Sequence, residues 1–454
     1  MKLPTTTRRS FLGGSALAAS TLLAACGGGT SGGTGTATTD GGSDFAGTIN
    51  LSEDLHIQGY DWGAGVDKVV LTPDYPIDAI SAEDLVVTEH KQATDWTAED
   101  FPVIEADFER KVTSATLNED GTITLELYCS PNDGSPFLYT MATGYNTWCE
   151  PYQLNIALAE GAALTSNGTP VTEIVAAEGS RTNSAEEAGW ILGGSDHQLA
   201  DGTTMSFNYA SWEQPDSKNL VVWLHGAGEG GTEATDPYVT VLANKVVALS
   251  SDEFQQTVGG ASVVAPQCPT IWMDIDGTHT YISAENSTEV KSYYTEALES
   301  FIDTRATHVG AEKIVLAGCS NGGFMALWMG LHRPDKYAGL VPICEAIPDA
   351  LISDEQIAGV KDVPMYFVYS KDDTTVIPSE HEEPTIERLK AAGASNLHVS
   401  TSDSVIDTSG EYTNEDGTPY TYNGHWSWIY FDNNECACVD DGLKAWDFIK
   451  ECFA

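Results

Sequence analysis

The sequence has 454 residues, with 21 Lys and Arg against 67 Asp and Glu, which gives a formal net charge of −46 at pH 7. This length predicts more than one domain, and a hydrophobic content of 41% indicates folded rather than disordered material. The acidic balance excludes nucleic-acid binding and attraction to anionic membranes, because both need clustered Lys and Arg.

The first 26 residues are predicted to be a signal peptide, outside the fold. "TRRSFLG" resembles a twin-arginine export signal, although Gly13 stands where that pattern often has Lys. "LAAC" resembles a bacterial lipobox, which implies that Cys26 is lipidated and that the exported protein is held on the outer face of the cell membrane by this lipid anchor alone. A general secretory signal cleaved elsewhere is the alternative. The apolar stretch is too short to span a membrane.

Residues 27–44 are a Gly- and Thr-rich linker that cannot form a core. Residues 45–185 are predicted to form an all-β domain, because apolar and polar residues alternate in short runs such as "TITLELYC" and "YQLNIAL". Turn sequences such as "NEDG" and "PNDGSP" separate these runs. The pattern is typical of an antiparallel β-sandwich.

Residues 186–454 change to a different pattern, in which apolar strands alternate with helical stretches. The strands are "LVVWLHG", "SVVAPQC", "KIVLAGC", "GLVPIC" and "VPMYFVYS". One helix is expected over 287–307, with one apolar stripe formed by Val290, Tyr294, Leu298, Phe301 and Ile302. Alternation of this kind predicts an α/β domain with a mostly parallel sheet and helices on both faces.

Eight cysteines remain after Cys26, and an even count in an exported chain favours disulfides over metal. Cys129 and Cys149 flank the "PNDGSP" turn and could be joined across it. "CAC" at 436–438 lacks the spacing and the second pair of a zinc site. The sequence therefore predicts disulfides, with no metal and no organic cofactor.

The stretch "GCSNG", residues 318–322, places Ser320 between a buried strand and a helix and fits the nucleophile-elbow pattern G-x-S-x-G. A serine in an ordinary glycine-rich bend is the alternative. A nucleophilic serine needs a base, an orienting acid and an oxyanion hole. In this fold the acid and then the histidine follow the serine in the chain. "YFVYSKDDTTV" supplies Asp372 and Asp373, and "YNGHWSW" supplies His425.

The set "LHGAGEGG", "APQCP", "GCSNGG", "SKDDTTV" and "GHWSWIY" resembles the α/β-hydrolase esterases of the polyhydroxybutyrate-depolymerase-like group. The β-rich half resembles the immunoglobulin-like domain that precedes some of those esterases. By this resemblance Ser320 is the nucleophile and His425 the general base. The acid is Asp373, because the family's Asp-x-x-Val spacing fits Asp373 and Val376, and Asp372 is the alternative.

The resemblance also implies an oxyanion hole made by the backbone N–H groups of Asn321 and of Ala227. The same loop contains Glu229, and the following Gly230 stands where the family often has arginine. The sequence therefore does not determine the electrostatic potential at the outer part of this loop. Trp272 and Trp426 are predicted to line a substrate pocket, with loop packing as the alternative.

These features predict an exported serine esterase that cleaves a small-molecule or polymeric carboxylic ester through an acyl-enzyme on Ser320. One alternative is a serine peptidase of the same fold, which uses the same triad. The other is a non-catalytic surface-binding lipoprotein. The sequence determines neither the acyl and alcohol groups nor the oligomeric state.

Overall fold

The structure is a computed structural model that describes residues 45–231 and 236–454. The signal peptide, Cys26 and the linker lie outside these residues. In chain order the strands are β1 Thr48–Tyr60, β2 Gly63–Pro73, β3 Leu85–Thr94, β4 Val103–Arg110, β5 Val112–Leu117, β6 Ile123–Leu127, β7 Phe137–Tyr139, β8 Asn146–Trp148, β9 Tyr152–Leu158, β10 Thr165–Ser166, β11 Thr169–Pro170, β12 Glu173–Asn183, β13 Ile191–Gln198, β14 Thr204–Trp212, β15 Asn219–Leu224, β16 Ser262–Gln267, β17 Lys313–Cys319, β18 Gly339–Ile343, β19 Met365–Ser370 and β20 Leu397–Ser402. The helices are α1 Ser184–Glu187, α2 Val239–Leu242, α3 Asp252–Val258, α4 Thr295–Val309, α5 Asn321–His332, α6 Asp354–Val360, α7 Glu382–Ala391, α8 Trp428–Asp432 and α9 Ala445–Phe453. None of these helices is long and apolar enough to cross a membrane.

The β-rich part, residues 45–185, contains a five-stranded sheet in the order β12-β1-β2-β6-β5 and a three-stranded sheet in the order β4-β3-β9. The alternation read from the sequence is present, since Ile123, Leu125 and Leu127 on β6 are buried. Most pairs are antiparallel as expected, but β1 and β12 run parallel. This is possible because the intervening chain is long enough to return to the same end of the sheet.

A short hairpin, β7–β8, stands apart from these two sheets. Its register places Phe137 opposite Trp148 and Tyr139 opposite Asn146. The side chain of Thr94 on β3 donates a hydrogen bond to the Tyr139 carbonyl at 2.5 Å. The hairpin is therefore tied to the β-rich part, while its β8 strand extends towards the second half of the chain.

The second half contains an eight-stranded sheet in the order β13-β14-β16-β15-β17-β18-β19-β20. The strands β16, β15, β17, β18, β19 and β20 pair in parallel, and β13 and β14 add an antiparallel edge. The central strands are buried along nearly their whole length, which explains their continuous apolar sequences. The predicted parallel α/β sheet is thus present, with apolar clusters on both of its faces.

The helix expected over 287–307 is shorter than the sequence pattern indicated. It begins at Thr295 and ends at Val309, and residues before it form turns, in which the Thr295 N–H donates to the Ser292 carbonyl at 3.3 Å. Val290 and Tyr294 are nevertheless buried. These two residues extend the apolar stripe but do not belong to the helix. A turn packed against the core can bury residues at the same spacing as a helix does.

The disulfide prediction is wrong for the described structure, in which all eight cysteines of residues 45–454 are buried and free. Cys129 and Cys149, which flank the "PNDGSP" turn and were one pair that could be joined, have separate partners. The Cys129 thiol donates to the Val66 carbonyl at 3.1 Å, and the Cys149 thiol donates to the Gln92 carbonyl at 3.3 Å. Each thiol behaves as a small apolar side chain in its own part of the core.

Candidate active site

Ser320 occupies the turn between β17 and α5, with φ 56° and ψ −115°. This backbone conformation is unfavourable for a residue with a side chain and must be held by the surrounding structure. The Ser320 N–H donates to the Ile343 carbonyl on the neighbouring strand at 2.8 Å. Glycine is required at 322, since a Cβ there would lie 1.8 Å from the Leu224 carbonyl oxygen. Close approach of strand and helix thus explains the glycines that flank the serine.

Ser320, His425 and Asp373 form a hydrogen-bonded chain. The Ser320 hydroxyl lies 2.8 Å from His425 Nε2, and His425 Nδ1 lies 2.6 Å from Asp373 Oδ2. The network assigns the Nδ1–H tautomer, which donates to the carboxylate and leaves Nε2 to accept from the serine. Along the chain, Ser320 and His425 are 105 positions apart, and Asp373 and His425 are 52 positions apart. This is the geometry of an activated serine nucleophile.

The two adjacent aspartates have different surroundings. Asp373 is buried, and its second oxygen accepts hydrogen bonds from the N–H groups of Thr375 and Val376 at 2.7 and 2.9 Å. Asp372 is exposed, and its Oδ1 accepts from the Ser370 hydroxyl at 2.6 Å. The structure therefore brings Asp373, and not Asp372, to the imidazole.

The predicted oxyanion donors lie at the same edge of the sheet as the serine. Leu224, the last residue of β15, pairs with Gly318 on β17, so the loop after β15 reaches the nucleophile turn. Ala227 begins a single 3-10 turn in that loop. Asn321 is the first residue of α5, where backbone N–H groups lack partners within the helix and attract negative charge.

His225, in the loop after β15, supports backbone rather than titrating near neutral pH. Its Nδ1–H donates to the Gly226 carbonyl at 2.6 Å, and its Nε2 accepts from the Cys268 N–H at 2.9 Å. Burial lowers the pKa of His225 to about 4. This neutral imidazole fixes the start of the loop that carries Ala227.

A contact between this loop and the β-rich part was not predicted from the sequence. Glu229 is 6% exposed, and its Oε1 accepts a hydrogen bond from the Asn146 side-chain amide on β8 at 3.2 Å. Burial raises the pKa of Glu229 to about 7, although the hydrogen bond from Asn146 opposes this effect. No periodicity or motif could have revealed the pairing, because 83 residues separate its members.

The two tryptophans expected in a pocket are placed differently. Trp272 has no exposed surface and its ring packs between Phe207 and Tyr294, while its backbone N–H donates to the side-chain oxygen of Asn321 at 2.5 Å. Trp272 therefore belongs to the core behind the nucleophile turn. Trp426 is partly exposed and follows His425 in the chain, and its ring lies 6.1 Å from that of Trp428.

One group of side chains within the described residues has the spacing that a metal ion would require. The donor atoms of His398, Cys438 and Asp441 lie within 4.8 Å of one another. His398 Nδ1 is 3.3 Å from the Asp441 carboxylate, and Asp441 is exposed. The contact between the His398 ring and the Asp441 carboxylate accounts for this arrangement.

Comparison with known proteins agrees with this geometry. A family model described as Phospholipase/Carboxylesterase matches residues 210–407, a range that includes Ser320 and Asp373 and ends before His425. No curated protein matches the sequence.

Among solved structures, a thermostable esterase superimposes with a TM-score of 0.64 at 20% identity, covering 85% of this chain and 96% of that one. A ferulic acid esterase has a TM-score of 0.33 at 14% identity, covering 47% of this chain and 90% of that one. An esterase of Pyrococcus furiosus has 0.34 at 15% identity, covering 48% and 86%. Of these three, the first alone has a score that establishes a shared fold.

The superposition and the family match support the α/β-hydrolase fold, and the family match supports a carboxylic ester hydrolase.

Proposed function

We propose that this ester hydrolase is a serine esterase that forms an acyl-enzyme on Ser320. The observation that carries the proposal is the continuous hydrogen-bonded chain from the Ser320 hydroxyl through His425 to Asp373, with contacts of 2.8 and 2.6 Å. Its substrate is a carboxylic ester, either a small molecule or a polymer.

In the first half of the reaction His425 Nε2 takes the hydroxyl proton as Ser320 attacks the ester carbonyl. Negative charge develops on the carbonyl oxygen, where the N–H groups of Ala227 and Asn321 stabilise it. Each such donor contributes about 3 kcal/mol to the transition state. The imidazolium, stabilised by the carboxylate of Asp373, then gives its proton to the leaving alcohol.

In the second half a water molecule replaces the alcohol. His425 takes a proton from the water, which attacks the acyl-enzyme and forms a second oxyanion at the same two N–H groups. Collapse of this intermediate releases the carboxylic acid and returns the proton to Ser320. No step requires a group other than these residues and water.

The proposal extends to the rest of the chain. Residues 45–185 are an immunoglobulin-like domain, residues 1–26 are a twin-arginine signal, and Cys26 carries the lipid that holds the enzyme on the outer face of the membrane. Fractionation with mass spectrometry of the mature N-terminus tests this location, and a soluble protein with unmodified Cys26 would contradict it.

The activity is tested by labelling the protein with a fluorophosphonate and by measuring hydrolysis of a nitrophenyl ester. Ser320→Ala should abolish labelling and lower kcat by several orders of magnitude. Ser379→Ala is the matched control, since Ser379 is exposed and should leave both signals unchanged. Normal ester hydrolysis by Ser320→Ala would refute the proposal. Faster cleavage of a peptide amide than of the ester would instead favour a peptidase.

A further inference from the structure

The β7–β8 hairpin of the β-rich part is docked against the segments that surround the catalytic serine. The Trp148 indole N–H donates to Asp236 Oδ2 at 2.7 Å, and the Tyr145 hydroxyl lies 3.0 Å from His279 Nδ1. The Tyr145 ring lies so close to Gly231 that a Cβ there would be 2.6 Å from it. The hairpin therefore has fixed contacts on both sides of the loop after β15.

Between these two anchors, the Asn146 amide reaches the loop itself. It donates to the Glu229 carboxyl at 3.2 Å, and a Cβ added to Gly228 would lie 2.8 Å from its nitrogen. The loop thus lies directly against Asn146, one residue beyond Ala227.

The Glu229 carboxyl connects this contact to the start of the loop. Its Oε2 lies 3.0 Å from the position of a Cβ on Gly226, and the N–H groups of Gly226 and Glu229 face the carboxyl. The same Gly226 position is 3.7 Å from the sulfur of Cys319, the residue before the nucleophile. A shift of the carboxyl would therefore move the loop relative to the nucleophile turn.

We propose that Asn146 is a positioning residue for the esterase reaction: its amide holds the Glu229 carboxyl and so fixes the loop that presents the Ala227 N–H to the oxyanion. This inference rests on the proposed function, because it assigns a supporting group to the same site. The β-rich part then contributes to catalysis without touching the substrate. An oxyanion donor acts only if it is already aimed at the developing charge, so a small displacement of the loop lowers kcat more than it changes KM.

The test exchanges the donor and the acceptor of the pair. In Asn146→Asp at pH 8 two carboxylates face each other, and kcat should fall about 10-fold to 100-fold while KM changes less than about twofold. In the double variant Asn146→Asp with Glu229→Gln, the glutamine amide donates to Asp while its oxygen faces the loop N–H groups. The kcat of the double variant should return to within about threefold of the wild-type value, because the exchange restores one hydrogen bond between the two side chains.

Asn155→Asp is the matched control, because Asn155 is exposed on β9 of the same β-rich part. It introduces the same charge and should leave kcat unchanged. All rates are divided by the concentration of active sites titrated with a fluorophosphonate. A purely structural role would lower the number of titrated sites and the Tm, but not kcat per site.

The outcomes separate the inference from the proposed function. Wild-type kcat per site in Asn146→Asp, or no recovery in the double variant, would overturn the positioning role while the activity of Ser320 still stands. If Ser320→Ala retains activity, the serine esterase itself is refuted, whatever the behaviour of Asn146.

Discussion

Replacement of Asp373 by asparagine should abolish most of the activity with little change in the fold. One oxygen of Asp373 accepts from the N–H groups of Thr375 and Val376, and the other accepts from His425 Nδ1–H. An asparagine must keep its oxygen on the two N–H groups. Turning the amide over would leave both donors unpaired, at a cost of about 1–3 kcal/mol for each.

The asparagine NH₂ then faces His425 Nδ1, which can only accept from it. The imidazole proton moves to Nε2, where the Ser320 hydroxyl needs an acceptor. The wrong tautomer and the loss of the carboxylate charge together cost about 10⁴ in kcat. A factor of 10⁴ corresponds to about 5.4 kcal/mol of transition-state stabilisation.

The assay compares kcat for a nitrophenyl ester in Asp373→Asn and in Asp372→Asn, with Tm measured for both. Asp372 is exposed and its carboxylate accepts a hydrogen bond from the Ser370 hydroxyl, so its variant should stay within about threefold of wild type, as expected for a surface substitution. Loss of the triad acid is expected to lower kcat about 10⁴-fold. If Asp373→Asn keeps more than about 1% of the wild-type kcat, far more than this loss would leave, the tautomer reasoning is contradicted. A reversed ranking of the two variants would move the role to Asp372.

Three further results are expected. Ser320→Ala combined with His425→Ala should be little slower than either single variant, because the members of a triad act as a unit; multiplied losses in ester hydrolysis would contradict this. Gly322→Ala should prevent folding, as a Cβ would lie 1.8 Å from a carbonyl oxygen at the end of β15, whereas Gly359→Ala on α6, where a Cβ meets nothing within 4 Å, should be soluble and stabilised by about 0.5–1 kcal/mol. Burial raises the pKa of Glu53 from 4.5 to about 7, so the folded state holds this proton more tightly than the unfolded chain. The resulting stability is present below pH 4.5 and is lost as the pH rises through 7, by up to about 3 kcal/mol; Glu53→Gln should reduce this loss in urea unfolding at pH 5 and pH 8, and an unchanged difference would contradict it.

Local sequence was sufficient where neighbouring residues determine the structure. The alternation on β6 and the continuous apolar runs of β15 and β17 follow from which faces of a strand are buried. The glycines around Ser320 follow from a strained turn of five residues. The resemblance to known esterases then indicated Asp373 and His425, and these lie at hydrogen-bonding distance from one another.

Predictions from local sequence were wrong where two different arrangements of the chain bury the same residues. The apolar stripe before Thr295 fits a helix and equally a packed turn, and only the tertiary contacts distinguish them. An even number of cysteines is compatible with disulfides, but a disulfide also needs two sulfurs at one place. Pairing depends on distances that spacing along the chain does not determine.

Sequence alone determined the two fold classes and the triad candidates, because strand periodicity, the glycine-rich turn and the order of Ser, Asp and His are written over short stretches. Only the tertiary structure decided that Asp373 faces the imidazole while Asp372 faces Ser370. Only the tertiary structure showed that Asn146, on β8 of the β-rich part, contacts Glu229, which is 83 residues away in the loop after β15. Such a contact depends on how two separately patterned parts pack, and packing arises from the shapes of whole surfaces rather than from the order of neighbouring residues.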